Sequence, residues 1–169
     1  MTDAASDNPF WTFSLRLYSR DEVAAACLAL QTRHGLDVNV LLYCIWLGAE
    51  RGVLLSETDA ARIVENVNRW HDGVVRPLRA MRVRLKDDPH GAPKAMADML
   101  RNEIKRAELD AERIEQQLLF TQIWSDAPRA TRSTFSAREN VLAYLKSLQI
   151  RPDTDDESKV GNILAGLET

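Results

Sequence analysis

Apolar residues recur along this chain at intervals of three and four, the spacing that places side chains on one face of an α-helix. The first such segment runs from Pro9 to Tyr18 and is rich in aromatic residues. A second segment extends to about His34, where Gly35 is a suitable helix end. Alternating patterns typical of β-strands are absent. The pattern therefore predicts an all-α fold.

The third segment, residues 37–51, is the most apolar in the chain. Asp37 is a suitable N-cap, and Asn39 is the only polar residue within 38–47. A helix that is apolar on every side must be surrounded by other helices. We therefore predict a helical bundle around a buried central helix, in which the core includes Leu41, Ile45 and Trp46.

Two long helices are predicted next. The fourth begins at Ser56 and should be kinked or split near Val74, because Pro77 cannot continue the helical hydrogen bonding. A turn at 87–93 leads to a fifth helix that runs to about Trp124. Together they predict a long antiparallel helical hairpin. The inward face of the fifth helix is predicted from its heptad-like spacing to consist of Leu100, Ile104, Ala107, Ala111, Ile114 and Leu118.

The C-terminal part contains a sixth predicted helix, at 136–148. Residues 151–157 are acidic and contain a proline, which favours a mobile linker, and 158–167 has the pattern of a short amphipathic helix. The predicted organisation is therefore a disordered N-terminus at 1–8, a single helical domain at 9–150, and an acidic linker with a short C-terminal amphipathic helix at 151–169.

The composition and charge of the chain exclude several classes of function. The chain has 169 residues and a net charge of −3, so no global positive field attracts nucleic acid. The longest apolar run is about ten residues, half of what a transmembrane helix needs. The N-terminus lacks the pattern of a secretory signal, and two cysteines in apolar segments suit a reducing compartment. We expect a cytoplasmic protein with no transmembrane segment.

Two surfaces are candidates for binding a partner protein. Arg76, Arg79, Arg82 and Lys86 form a basic stripe on one helix face, which either binds an acidic partner or pairs with acids of the fifth helix. The C-terminal helix, with Ile163, Leu164 and Leu167, either docks in a partner's groove or folds back onto the bundle. The hairpin also offers a surface for a homo-oligomer. No motif for specific nucleic-acid binding accompanies the stripe.

The sequence contains no recognisable catalytic constellation. A nucleophile elbow and a phosphate-binding loop are both absent. None of the three histidines, His34, His71 and His90, has a glutamate three residues before it, as a di-iron bundle would require. We therefore predict no catalytic residue, metal or cofactor. The leading hypothesis is a non-enzymatic helical interaction protein, an adaptor or regulator.

An alternative hypothesis is a binding module or enzyme for a small apolar or acyl ligand. The aromatic residues near the N-terminus and the polar residues before the central helix either line a cavity or simply pack and cap. A cavity of roughly 300 Å³ between the first and third helices would favour the ligand. Its candidate residues are Trp11, Tyr18, His34, Asp37, Asn39, Tyr43 and Trp46.

The first third of the chain carries a recognisable motif: Phe10-Trp11-x-Phe13-Ser14-Leu15-x-Leu17-Tyr18, then Ala26-Cys27-Leu28-x-Leu30-Gln31, then Gly35-x-Asp37-Val38-Asn39-x-Leu41-Leu42-x-Cys44-x-Trp46-Leu47. This pattern resembles a family of small proteobacterial proteins classed as a domain of unknown function. The resemblance implies a bacterial, cytoplasmic, all-helical protein. It implies no activity, cofactor or catalytic residue.

Overall fold

The computed structural model describes residues 8–88, 90–122, 124 and 127–168. The predicted all-α class is confirmed, and no β-strand occurs in this part of the chain beyond a single bridge between Val53 and Arg129. Residues 1–7, where disorder was predicted, lie outside the described residues, whereas Asn8 caps the first helix. The helices are α1 (Pro9–Tyr18), α2 (Asp21–His34), α3 (Val38–Arg51), α4 (Glu57–Trp70), α5 (Arg76–Asp87), α6 (Lys94–Phe120), α7 (Thr134–Ser147) and α8 (Thr154–Ala165), with a π-helical turn at His71–Val75.

The central helix α3 is buried on almost every side, as its composition predicts. The Asp37 carboxylate accepts hydrogen bonds from the backbone of the first turn, and Gly52 ends the helix in the left-handed conformation with φ of 60°. The side chains of Leu41, Ile45 and Trp46 are buried. Helix α7 lies closely against α3, and α1, α6 and α4 complete the surrounding layer.

The predicted break in the fourth helix occurs immediately before Pro77. Proline has no N–H to donate and its ring displaces the carbonyl four residues earlier, so regular α-helical bonding cannot pass through it. The chain widens into the π-helical turn His71–Val75, and α5 then starts with Pro77 as its second residue. The turn points His71 and Val75 into the protein.

The predicted inward face of the fifth helix is partly wrong. Helix α6 is rotated so that Leu100, Ala107, Ile114 and Leu118 face solvent, while Ala111 is buried and Ile104 half-buried. The buried positions are instead Ala97, Glu108, Ala111, Glu115, Gln116 and Leu119. Two acids can lie on the inner face because arginines of α5 and His71 pair with them.

Helix α8 begins earlier than its pattern predicts. Residues 154–157, predicted as part of a mobile acidic linker, form its first turn. Asp153 and Asp156 make a reciprocal capping box, and Arg33 contacts Asp153 at 2.6 Å and Asp156 at 2.9 Å. Acidic side chains are favourable at this end of a helix, and Arg33 ties them to α2.

Candidate functional site

A chain of hydrogen-bonded polar side chains crosses the middle of the bundle. We call it the polar core, and it consists of Ser14, Asp37, Asn39, His71, Glu115 and Gln116. The Ser14 hydroxyl donates to the Gln116 amide oxygen at 2.8 Å, and the Gln116 amide nitrogen donates to Asn39 at 2.8 Å. Asn39 in turn donates to the Glu115 carboxylate at 2.7 Å.

The polar core ends in three ionisable side chains, Asp37, His71 and Glu115, which we call the triad. The Nδ1 atom of His71 lies 3.0 Å from Oε1 of Glu115 and 3.1 Å from Oδ2 of Asp37. Glu115 is fully buried. The Oδ2 atom of Asp37 is also buried, yet it accepts no hydrogen bond. An unsatisfied buried oxygen of this kind is uncommon in native proteins and calls for a physical explanation.

Three separate elements bring the triad together. Asp37 is fixed because its Oδ1 accepts the Asn39 N–H at 2.8 Å as the N-cap of α3. The π-helical turn aims His71 inward, and such turns occur frequently at functional sites. Glu115 projects from the inner face of α6.

The two carboxylates change the titration of His71, and His71 in turn changes that of Glu115. Burial by itself lowers the pKa of His71, but the interactions with Asp37 and Glu115 outweigh it and raise that pKa to about 10. Burial raises the pKa of Glu115, against the opposing effects of His71 and Asn39. The imidazole therefore carries a proton near neutral pH and lies between two acids.

A cleft of about 310 Å³ opens beside the polar core, between α1, α2, α3 and the hairpin of α5 and α6. We call it the α1–α6 cleft. Leu15, Leu28 and Leu109 form an apolar rim, and Asn39 and Gln116 of the polar core line it further. The remaining lining residues are Trp11, Ser14, Tyr18, Gln31, Asp37, Val38, Leu42, Arg79, Arg82, Glu108 and Glu112.

Ion pairs organise one wall of the cleft. Arg79 contacts Glu108 at 3.0 Å and Glu112 at 2.6 Å, and Arg82 makes a further short contact with Glu108. Burial alone raises the pKa of Glu108, but Arg82 and Arg79 outweigh it and hold that pKa below its usual value. For Glu112, burial is the stronger influence and raises the pKa.

The structure brings four of the predicted ligand-binding residues together. Trp11, Tyr18, Asp37 and Asn39 all line the α1–α6 cleft. The other three lie elsewhere. His34 contacts Asp156 of α8 at 2.9 Å, whereas Tyr43 and Trp46 pack with Phe10 in the core at ring distances of 5.1 and 5.6 Å.

The predicted partner-binding residues are divided in a similar way. Arg79 and Arg82 are engaged in the cleft wall, Arg76 is exposed and pairs with Asp72 at 3.0 Å, and Lys86 is exposed. In the C-terminal helix the apolar side has folded back onto the bundle. Ile163 and Leu164 are buried, and Leu167 packs partly buried against the same core.

Sequence reasoning missed most of the polar core. No acid stands three residues before His71, and the acids that contact its ring come from distant segments, Glu115 being 44 residues away. One signal was available: Glu108 and Glu115 lie one heptad apart on α6, next to the apolar positions Ile104 and Ala111. Acids repeated at the heptad spacing, among apolar positions, indicate an inner helix face on which the acids are paired with other side chains.

The fold and the site define an all-α bundle with a buried polar core and a ligand-sized cleft. A family model described as protein of unknown function (DUF2390) matches residues 9–119, well over half of the chain, and the chain belongs to this family. The matched segment includes the whole polar core and every residue of the cleft. No curated protein and no solved structure matches the chain. None of the helices in the described part of the chain has the length and apolar character needed to cross a bilayer.

Proposed function

We propose that the protein binds a small amphipathic molecule, with an apolar body and an anionic end, in the α1–α6 cleft. The observation that carries this proposal is the cleft itself, with a volume of about 310 Å³ between the first and third helices and the hairpin. Ligand pockets of proteins begin at about this size and combine apolar walls with a few polar groups.

The rim of the cleft supports an apolar ligand body. Leu15, Leu28 and Leu109 are 52%, 51% and 51% exposed, and all three surround the same opening. Single exposed leucines are ordinary, but a group around a concave surface marks a binding site. A bound acyl chain would cover these side chains.

The ion-paired wall supports an anionic end on that ligand. Arg79 and Arg82 are held in place by Glu108 and Glu112. Arg79 already pairs with both acids, whereas Arg82 pairs with Glu108 through Nε and Nη2 and has further N–H groups that can donate to a second carboxylate. A ligand carboxylate at the bottom of the cleft would therefore meet fixed donors.

Titration with octanoate, followed by calorimetry and by the tryptophan fluorescence, to which Trp11 in the cleft contributes, tests the proposal. We expect saturable binding that is abolished by Leu28→Trp, which fills the rim. Leu118→Trp, an exposed leucine outside the cleft, is the matched control and should leave binding intact. Absence of binding to the wild-type chain, or equal binding by the two variants, would contradict the proposal.

The second candidate function is the interaction role that the sequence favoured, as an adaptor or regulator in the cytoplasm. It is supported by an apolar stripe on the outer face of α6. Leu100, Ile114 and Leu118 are 54%, 47% and 41% exposed, and Met96 continues the row. A row of this length on a soluble surface is typical of a protein interface. The buried free cysteines, Cys27 and Cys44, suit a reducing compartment.

For this candidate we assign a second copy of the chain as the partner. Ala107 lies in the middle of the stripe, and its small side chain lets two helices approach closely. An antiparallel pair of α6 helices centred there places Leu100 against the partner's Ile114, and Met96 against the partner's Leu118. The apolar positions of the stripe therefore pair with one another, as a two-fold interface requires, whereas the exposed acids Glu103 and Asp110 of the same face come close to each other across the pair.

Light scattering coupled to size-exclusion chromatography tests the dimer. We expect a dimer for the wild-type chain and a monomer for Ile114→Glu, because a charge would be buried at the interface. Phe135→Glu replaces an exposed aromatic residue of α7, away from the stripe, and should remain dimeric. A monomeric wild-type chain would rule out this interface.

A further inference from the structure

We propose that Asp37, His71 and Glu115 form a binding site for one divalent transition-metal ion of the Zn²⁺ type. The proposal concerns the triad, not the neighbouring cleft, and it does not depend on ligand binding there. Its ligands would be Oδ2 of Asp37, Nδ1 of His71 and Oε1 of Glu115, and the ion would displace to solvent the proton that Nδ1 carries in the metal-free protein.

The spacing of these three atoms suits a metal. The donor atoms of the triad all lie within 4.8 Å of one another, and Nδ1 is 3.1 and 3.0 Å from the two carboxylate oxygens. In a tetrahedral zinc site, bond lengths near 2.0–2.2 Å separate neighbouring ligand atoms by about 3.3 Å. An expansion of a few tenths of an ångström therefore makes room for the ion.

The unsatisfied oxygen of Asp37 is an independent observation. Oδ2 is buried and accepts no hydrogen bond, although it faces the imidazole nitrogen. Two carboxylates beside one ring also leave the buried cluster with an excess of negative charge. A divalent cation would replace the ring proton of His71 as the partner of Oδ2 and neutralise both acids.

The surroundings of the triad match those of metal centres. Asn39 donates to the second oxygen of Glu115 at 2.7 Å, and the backbone of α3 holds the second oxygen of Asp37. Hydrogen bonds of this kind orient metal ligands. A cavity of about 150 Å³ is lined by Asp37, His71 and Tyr144 among others, so two of the three proposed ligands border a space large enough for the water molecule that zinc sites use as a fourth ligand.

The donor set selects the kind of metal. One imidazole nitrogen with two carboxylate oxygens favours zinc, manganese or iron over magnesium and calcium, which prefer oxygen ligands alone. Since manganese lies below zinc in the general order of affinities, zinc should bind more tightly.

Equilibrium titration of the full chain with Zn²⁺, after removal of metals by a chelator, tests the site. We expect one ion per chain and no binding of Mg²⁺ at the same concentration. Co²⁺ should give the visible absorption of a four-coordinate site containing nitrogen and oxygen ligands, which tests the geometry without any variant. A chain that binds no Zn²⁺, or a Co²⁺ spectrum of the free hexaaqua ion, would overturn the proposal.

Glu115→Gln is the decisive variant because it keeps the size of the side chain and removes its charge, while one of its two acceptor oxygens becomes an amide nitrogen. We expect its Zn²⁺ affinity to fall at least about tenfold, with an unchanged circular dichroism spectrum. Asp155→Asn, at an exposed acid of α8, is the matched control and should bind as the wild-type chain does. Equal affinity of Glu115→Gln and the wild type would place any bound zinc at the surface and refute the site. Octanoate binding by Glu115→Gln tests the cleft proposal separately.

Discussion

Replacing Gly48 by alanine sets two physical effects of opposite sign against each other. Alanine is the better helix former, which alone would stabilise α3 by about 1 kcal/mol. The structure, however, places α7 directly over this glycine. A Cβ atom at Gly48 would lie 2.4 Å from the backbone nitrogen and 2.6 Å from the Cα of Ala137. These are backbone atoms, so no side-chain rotation relieves the contact.

The size of the effect follows from this geometry. Ordinary carbon contacts lie beyond about 3.5 Å, so α3 and α7 would have to separate by about 1 Å. Inserting a methyl group into a packed core costs about 1–3 kcal/mol, and a rigid neighbour favours the upper end. After subtraction of the gain in helix propensity, we expect Gly48→Ala to lower the free energy of unfolding by about 2 kcal/mol.

Urea denaturation followed by circular dichroism measures this difference. Gly161→Ala provides the matched control, because Gly161 is also helical but a Cβ added there would meet no neighbouring atom within 4 Å. Here helix propensity acts alone and should raise stability by up to about 1 kcal/mol. If both variants gained stability, the close approach of α3 and α7 at Gly48 would be wrong.

Three further outcomes follow from buried groups. Asn140→Leu should cost at least about 3 kcal/mol in urea denaturation, because the buried Asn140 side chain satisfies three backbone groups at 2.8–3.1 Å. Glu108→Gln should make the free energy of unfolding depend less on pH in the acidic range. Since the pKa of Glu108 is lowered in the folded state, its contribution is complete above the ordinary value of 4.5 and disappears as pH falls through the lowered pKa. Burial raises the pKa of Cys27 to about 12 and also raises that of Cys44, so neither thiol should react with Ellman's reagent at pH 8 until urea is added.

The parts of the fold that the sequence predicts are those decided by local chemistry. The central helix follows from a continuous apolar run, a capping aspartate and a terminal glycine, all within residues 37–52. The break before Pro77 follows from the covalent structure of proline. The predicted start of α8 is too late in the chain because acids such as Asp153 are typical of a solvated linker. In the structure, Arg33 of a distant helix holds these acids in place.

The inner face of α6 shows why the site itself was harder to predict. A prediction based only on apolar residues places Leu100, Ala107 and Ile114 on the inner face. The structure buries Glu108 and Glu115 there instead. A buried carboxylate is tolerated only with partners, and those partners come from α5, from α3 and from the π-helical turn. These partners come close to the two acids only when the chain has folded, so the local sequence does not reveal them.

Burial of the triad is not expected to increase the stability of the fold. Exchanging a buried ionic cluster for well-packed apolar residues is often neutral or stabilising in other proteins, because each charge loses its hydration. Here the cluster also leaves Oδ2 of Asp37 without a hydrogen bond, next to the π-helical turn that precedes Pro77. An unsatisfied buried oxygen next to a cavity is typical of a site shaped for chemistry. A bound cation would provide a partner for this oxygen, which is why zinc affinity, rather than thermal stability, is the quantity that distinguishes a metal centre from a structural ion pair.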